Sequence, residues 1–373
     1  MRIALVLTQD RAGPTDLSVA LALAMVQLGA TVRIFGPPPV TSAGDVTDLL
    51  TPFALERKTD VKGARRLRDA VEAFRPDIVH AQDRRAALAV STVARIRRVP
   101  LVATYHGLPD AATHVYTGLG ASSRLPVPPQ AALVLAADAL VARRCALTIT
   151  PAAAMTWFLQ HRLRVPAKRL LTLYNGVPMH PTRDVPERPS VIMTAGSFSA
   201  RKAVGILVEA FIRLAPDHDN IRLLMVGGSA DDQREELQQR LAHAGLAGRA
   251  EFTGYRTDVP SFLARADLFV LPSLAETLPL ALLEAMGAGL ACVASDAGSI
   301  AEALPPGTGL LTPAGNIDEL EAALRRLLDV PGLATALGKA AAEHARTQFD
   351  VVRCAREHLD VYARVITGAR GSG

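Results

Sequence analysis

Two glutamates eight positions apart, Glu276 and Glu284, follow an apolar run, Leu268–Leu271, and enclose Pro279. The run reads as a buried strand. The sequence after it reads as a loop carrying Glu276, then a helix that has Pro279 in its first turn, where a missing N–H costs nothing. That helix is expected to run to about Ala288 and to stop at Gly289. Glu284 then lies roughly 7 Å along its axis, at about 1.5 Å per residue. Between the carboxylates falls a helix N-terminus with free N–H groups, those of Leu280 and Ala281 among them, and such an end attracts phosphate. Acceptors on either side of an anion site suit a ligand whose hydroxyls flank a diphosphate, as in a nucleotide sugar. A lone pair of glutamates at this spacing is more often one capping and one surface carboxylate. Here a second strand-like run, Ala291–Ala294, follows the helix, and the strand–loop–helix–strand setting favours the ligand reading.

The elements that must position these groups alternate along the whole chain. Strand-like runs at Arg2–Leu7, Thr31–Phe35, Asp77–Ala81, Pro100–Tyr105 and Leu147–Thr150 are separated by helical patterns at Asp16–Leu28, Val61–Phe74, Ala86–Ile96 and Gln130–Arg143. A second alternation has strands at Val191–Ala195, Arg222–Val226, Glu251–Thr253, Leu268–Leu271, Ala291–Ala294 and Gly309–Thr312, with helices that include Lys202–Leu214 and Asp231–Ala244. This is the pattern of α/β domains with parallel sheets covered on both faces. Pro178, Pro181, Pro186 and Pro189 mark a linker over 178–189, between an N-terminal domain of 1–177 and a C-terminal domain of 190–349. Asp350 is placed to cap a last helix over 350–367, and 368–373 reads as a disordered tail. Ligands of such domains bind at the carboxyl ends of the strands, here in a cleft between the two.

Composition narrows the class. Of 373 residues, 49% are hydrophobic and 21% charged, as in soluble enzymes, and only 4% are aromatic, so any stacking platform is small. Cys145, Cys292 and Cys354 are odd in number and lack metal or redox spacing, which predicts reduced thiols and a cytoplasmic protein. The first apolar run stops at Thr8, too short for a signal peptide, and no run reaches the ~18 apolar residues of a membrane span. Residues 1–186 hold 23 Lys+Arg against 13 Asp+Glu, a net of +10, while the rest of the chain nets −5. The two halves are therefore expected to face different partners.

The stretch from Gly254 to Ser273, continued through Glu276 and Glu284 to Ala294–Glu302, resembles the family 4 retaining glycosyltransferases of the GT-B fold. Shorter matches run along the rest of the chain, at Pro76–His80, Thr104–Gly107, Tyr174–Val177 and Gly309–Pro313. The resemblance covers nearly all of residues 1–367. It implies an α/β GT-B architecture, two Rossmann-like domains facing each other across a cleft, with the C-terminal helix crossing back to the first. It further implies that Glu276 holds the hydroxyls of the donor sugar, that Glu284 holds the ribose, and that backbone around Thr277, Leu278, Pro279 and Leu280 binds phosphate. The loop Gly196–Lys202 is where the family places an Arg and a Lys on the diphosphate. Lys202 matches the Lys, but Ser197 stands where the Arg is usual and Ala203 where a Gly is usual. Arg201 is a substitute only if the loop turns two adjacent side chains the same way. His106, ending the strand Leu101–His106, matches a histidine beside the reacting carbon, whereas His80 reads as structural. Gly13 and Pro14 follow the first strand where the family often has paired glycines near phosphate and acceptor.

The activity this implies is retaining transfer of a sugar from a nucleotide-diphosphate sugar to a glycan, lipid-linked or small-molecule acceptor, in cell-surface polysaccharide or glycolipid synthesis. No Asp-x-Asp pair follows a strand, so a metal-independent reaction is expected, with no cofactor, and with His106, Glu276 and Lys202 as catalytic residues. No protein nucleophile is well placed, which favours front-face attack with the donor phosphate taking the acceptor's proton. On the acceptor side, Lys62, Arg65, Arg66 and Arg68 with Arg57 and Lys58 form a basic face. It suits peripheral contact with anionic lipid at the inner face of the membrane, although a solvated helix has the same composition. Residues 107–130 read as too irregular for core and as an acceptor loop. Trp157 and Phe158 read as packing. A nicotinamide oxidoreductase would need G-x-G-x-x-G after the first strand, which Leu7–Gly13 lacks, and nothing points to nucleic acid. The rival is a catalytically impaired, sugar-nucleotide-binding scaffold, suggested by Ser197 and Ala203 and opposed by the joint presence of Glu276, Glu284, Lys202 and His106.

Overall fold

The computed structural model describes residues 1–11, 13–41, 43–54, 60–97, 99–116, 127–228 and 233–371. They form two units, Met1–Pro178 with Asp350–Gly373, and Met179–Phe349. Unit 1 is built from β1 (Arg2–Val6), α1 (Gly13–Gln27), β2 (Thr31–Gly36), β3 (Leu50–Pro52), α2 (Val61–Phe74), β4 (Ile78–Ala81), α3 (Arg84–Arg97), β5 (Leu101–Thr104), α4 (Pro129–Arg144), β6 (Leu147–Thr150), α5 (Ala153–His161) and β7 (Leu170–Thr172). Its seven strands are parallel, in the order β3-β2-β1-β4-β5-β6-β7. Side chains alternate across the sheet. Ile3 and Leu5 share one core with α1, while Ala4 and Val6 share the other with Leu67 and Val71 of α2. Strands β3 and β7 were not anticipated, because three residues carry too little periodicity.

Unit 2 contains β8 (Val191–Gly196), α6 (Val204–Leu214), β9 (Arg222–Gly227), α7 (Arg234–His243), β10 (Ala250–Gly254), α8 (Val259–Leu263), β11 (Leu268–Leu271), α9 (Leu280–Gly287), β12 (Ala291–Asp296), α10 (Ile300–Ala303), β13 (Leu310–Pro313), α11 (Ile317–Asp329) and α12 (Leu333–Gln348). Six parallel strands run β10-β9-β8-β11-β12-β13. At the carboxyl ends of β8 and β9 the backbones close on each other. A Cβ on Gly227, whose φ is +118°, would stand 2.0 Å from the carbonyl oxygen of Gly196, so only glycine fits there. Both units are therefore doubly wound α/β folds, as the GT-B architecture requires.

The residues expected as the linker, 178–189, follow the boundary between the units at Pro178 and are bonded onto unit 2. Arg183 donates to the carbonyls of Ala264 and Ala266 and to the carboxylate of Asp267, and Thr335 donates to the carbonyl of Val185. Asp267, fully buried, also accepts from the N–H groups of Ser190 and Val191. One expectation is corrected, at the C-terminus. Asp350 does cap the last helix, accepting from the N–H of Arg353 at 2.9 Å, but α13 (Val351–Gly371) continues past residue 367. The expected tail 368–373 is thus helical as far as Gly371, since a glycine such as Gly368 costs a helix only about 1 kcal/mol; 372–373 lie outside the described residues. Helix α13 belongs to unit 1, where Cys354, Ala355 and Tyr362 enter the core of α1 and β1.

Candidate active site

In a doubly wound sheet, neighbouring central strands whose connections leave in opposite directions open a crevice at their carboxyl ends. In unit 2 those strands are β8 and β11, and the loop after each carries candidate residues. After β8, Ala200–Lys202 makes one turn of 3₁₀-helix, and Ala203 follows in the left-handed conformation, φ 48° and ψ 35°. Helix α6 consequently starts at Val204 rather than at Lys202. The left-handed residue accounts for the glycine usual at this position, because an L side chain there costs about 1–2 kcal/mol.

This turn settles where Arg201 lies. Lys202 Nζ is 2.6 Å and Arg201 Nη1 3.2 Å from Oε1 of Glu276, and Arg201 also donates to the carbonyl of Ala275 at 2.8 Å. The loop after β11 is tied to the turn by the N–H of Leu274 on the carbonyl of Arg201, and its far side by the N–H of Ser299 on the carbonyl of Glu276. The carboxyl of Glu276 is buried, which pushes its pKa up. Lys202 and Arg201 outweigh that, and the pKa falls below its ordinary value, with the buried Ser273 hydroxyl assisting. Ser197, by contrast, is half-buried and among the described residues reaches only the hydroxyl of Ser199, at 3.5 Å. Two adjacent cations thus converge on one carboxylate, leaving an excess positive charge beside the loop.

The loop continues through Thr277 and Leu278 to Pro279, which is the N-cap of α9 (φ −75°, ψ 119°) and not part of its first turn as expected. Its extended ψ sets the entry to the helix, and its carbonyl accepts from Leu282 and Leu283. Among the described residues the N–H groups of Leu280 and Ala281 have no acceptor, so the helix end is open to an anion. Glu284 is half-buried on α9, on the same strand–loop–helix unit as Glu276.

In unit 1, His106 stands two residues beyond β5, partly buried, with Nε2 3.1 Å from Oε1 of Gln82. Burial, reinforced by His358, holds its pKa down to about 4, so it is neutral near pH 7. His80 lies wholly in the core, bonded to Tyr362 and Thr104. Gly13 and Pro14 open α1 at the carboxyl side of β1, where Ser18 donates to the carbonyl of Pro14; the backbone of Gly13 is not left-handed. On α2, Lys62, Arg65 and Arg66 are exposed and Arg68 is half-buried; Arg57 and Lys58 lie outside the described residues. The segment 107–130 is corrected in part. Ala112, Val115 and Tyr116 are buried against α4 and α5 and therefore belong to the core, while 117–126 are outside the described residues. Phe158 is packed in that core, and Trp157 stacks on His161. Gln82 was not anticipated. Its only signal is its place directly after β4, and its meaning needs the partners that the fold supplies.

Known proteins resemble this chain in sequence and in fold. The family model for glycosyl transferases group 1 matches residues 189–330, and that for glycosyltransferase family 4 matches 17–180. A glycogen synthase of Mycobacterium tuberculosis is 29% identical over 305 residues, 80% of this chain and 71% of that protein. The lipopolysaccharide core biosynthesis glycosyltransferase LpsD of Rhizobium meliloti is 33% identical over 175 residues, 47% of this chain and about half (49%) of that protein. Among solved structures, Anabaena Alr3699/HepE, in complex with UDP and glucose, superposes with a TM-score of 0.79 at 20% identity over 98% of this chain and all of that one. Sucrose-phosphate synthase from Thermosynechococcus elongatus gives 0.77 at 19% identity over 99% of this chain and all of that one. At these identities the superpositions establish the fold.

Proposed function

We infer the function from one premise, that this chain belongs to the group 1, family 4 glycosyltransferases of GT-B fold. As a glycosyltransferase it takes, in our reading, a nucleotide-diphosphate sugar on unit 2 and transfers the sugar with retention of anomeric configuration. The observation that carries this is the convergence of Lys202 and Arg201 on buried Glu276 beside the open N-terminus of α9. A diphosphate competes with the carboxylate for both cations. Once they turn to phosphate, the ionised Glu276 becomes an acceptor for sugar hydroxyls, and Glu284 serves the ribose. Lys202, Arg201 and the N–H groups of Leu280 and Ala281 then stabilise the charge that grows on the leaving diphosphate. Arg201 supplies the second cation that Ser197 does not, which removes the main reason to read the chain as an impaired scaffold. His106 is the residue of unit 1 assigned to catalysis.

The reaction is proposed to proceed without a metal, by front-face attack in which the donor phosphate accepts the acceptor's proton. The acceptor class, a glycan, lipid-linked or small-molecule hydroxyl in polysaccharide or glycolipid synthesis, follows the relatives, whose names include a glycogen synthase and a lipopolysaccharide core glycosyltransferase. Contact of the α2 basic face with anionic lipid belongs to the same proposal. The test is incubation of the full chain with UDP-, GDP- and ADP-sugars, with and without EDTA, and NMR of the product. Turnover indifferent to EDTA, with the product anomer matching the donor, is expected. Inversion, or abolition by EDTA, overturns the mechanism; absence of turnover with every donor and acceptor class overturns the activity.

A further inference from the structure

Behind His106 in unit 1 lies a connected chain of buried polar groups. Oε1 of Gln82 meets His106 Nε2 at 3.1 Å, and Nε2 of Gln82 meets His80 Nδ1 at 3.3 Å. The hydroxyl of Tyr362, on α13, is 2.5 Å from the same His80 Nδ1, and Thr104 Oγ1 is 2.7 Å from His80 Nε2. Gln82, His80, Thr104 and Tyr362 are all buried. Such a chain has directions, because each neutral imidazole offers one donor and one acceptor. The phenol of Tyr362 is fully buried, and His80 is its only polar partner among the described residues, so its O–H must donate to His80 Nδ1 or be wasted. His80 Nδ1 is then an acceptor, and His80 Nε2–H donates to Thr104 Oγ1. The Nδ1 lone pair taken by Tyr362 would repel a carbonyl oxygen, so Gln82 turns its NH₂ to His80 as a second, longer contact at 3.3 Å, which leaves its carbonyl oxygen for His106. His106 therefore carries its proton on Nε2.

We propose that Gln82 and Tyr362 are positioning residues that hold His106 in the Nε2–H tautomer, so that its Nδ1 is a hydrogen-bond acceptor for a substrate hydroxyl. Among the described residues Nδ1 has no protein partner, which leaves its lone pair for such a hydroxyl. Tyr362 of the C-terminal helix thereby acts on His106 through His80 and Gln82. The titratable groups that interact with His106 are His80 from β4 and His358 from α13, and behind them Tyr362 and Cys354 of α13 pack on His358. Burial keeps His80 and His358 neutral near pH 7, so that none of them contests the assignment by charge. The catalytic consequence rests on the transferase reading; the tautomer does not.

Long-range ¹H–¹⁵N spectra of the full chain with ¹⁵N-labelled histidine read each tautomer directly. His106 is expected as neutral Nε2–H from pH 8 to pH 5. Q82M and Y362F are expected to turn it into a tautomer mixture, the second without touching it. Q82E sets a carboxylate against Nε2–H and is expected to raise the pH at which His106 takes up a proton by about one to three pH units. In the transferase assay, Q82M and Y362F are expected to lower kcat while donor KM holds. If Q82M does not fold, Y362F and Q82E still decide the matter. A wild-type His106 protonated on Nδ1, or charged at pH 7, overturns the proposal, as does a His106 signal unchanged in Y362F and Q82E. Sugar transfer with a wrong tautomer would refute this inference alone; the right tautomer without transfer would refute only the function.

Discussion

Replacing Lys202 by methionine keeps the length of the side chain and removes its charge, and two effects of different size follow. Glu276 is 8% exposed and Lys202 15%, with Nζ at 2.6 Å. Removing one partner of a buried pair commonly costs about 3–5 kcal/mol, because a charge is left uncompensated. Arg201 remains at 3.2 Å, which places the cost at the lower end, about 3 kcal/mol. For a unit of this size each kcal/mol moves the melting temperature by about 2–4 °C, so K202M should melt about 6–12 °C lower. The reaction loses a donor that acts where charge develops on the leaving group, an effect of about 10²–10³-fold in kcat. The double variant K202M/E276Q separates the two, because a neutral amide needs no cation. It should recover most of the melting temperature and none of the turnover. Differential scanning fluorimetry and an assay of nucleoside diphosphate release provide both readings. Turnover of K202M within tenfold of wild type, or restored in the double variant, would show that the lysine only neutralises Glu276.

Other consequences are as direct. Ala203→Gly should raise the melting temperature by about 2–4 °C, a gain of about 1 kcal/mol from relieving a left-handed alanine, with turnover retained; a lower melting temperature would contradict it. Arg183→Ala strips buried Asp267 of its cation and two carbonyls of their donor, and denaturant unfolding of unit 2 should register a loss of about 3 kcal/mol; a loss near zero would mean the 178–189 segment is loosely held. The pKa of both His106 and His358 is pushed down by burial to about 4. Below the unfolded value of 6.5 the unfolded chain takes up protons that the folded one refuses. Stability therefore falls as pH drops from 6.5 towards 4, by up to about 1.4 kcal/mol per pH unit for each histidine. Glu276, with its pKa lowered, adds a loss only below its unfolded value of 4.5. Urea unfolding that is flat between pH 7 and pH 5 would contradict the histidine assignment.

Most of the fold was legible because its elements obey one period each. The strand Leu268–Leu271 and the helix Val61–Phe74 were bounded to the residue, being an unbroken apolar run and a five-point apolar stripe closed by Pro76. What escaped was either short, as β3 and β7 are, or made by contacts between distant residues. The segment ending at Tyr116 has no periodicity, and its burial comes from α4 and α5. The same division holds at the site. Glu276 was marked by its spacing from Glu284 and Lys202 by the family resemblance, whereas the convergence of Arg201 depends on the left-handed turn at Ala203, which no local periodicity announces. Gln82 was invisible for a related reason, since its partners lie 24 and 2 residues away and its orientation is set from residue 362.

Titration of the wild-type chain and of R201M/K202M with UDP, GDP and ADP, followed by the melting of unit 2, probes the diphosphate site most directly. At least one nucleoside diphosphate should stabilise the wild type, by about 2.7 kcal/mol at a hundred times its Kd, and should leave the double variant unmoved. Stabilisation equal in both proteins, or none by any of the three, would mean that Arg201 and Lys202 do not hold a diphosphate.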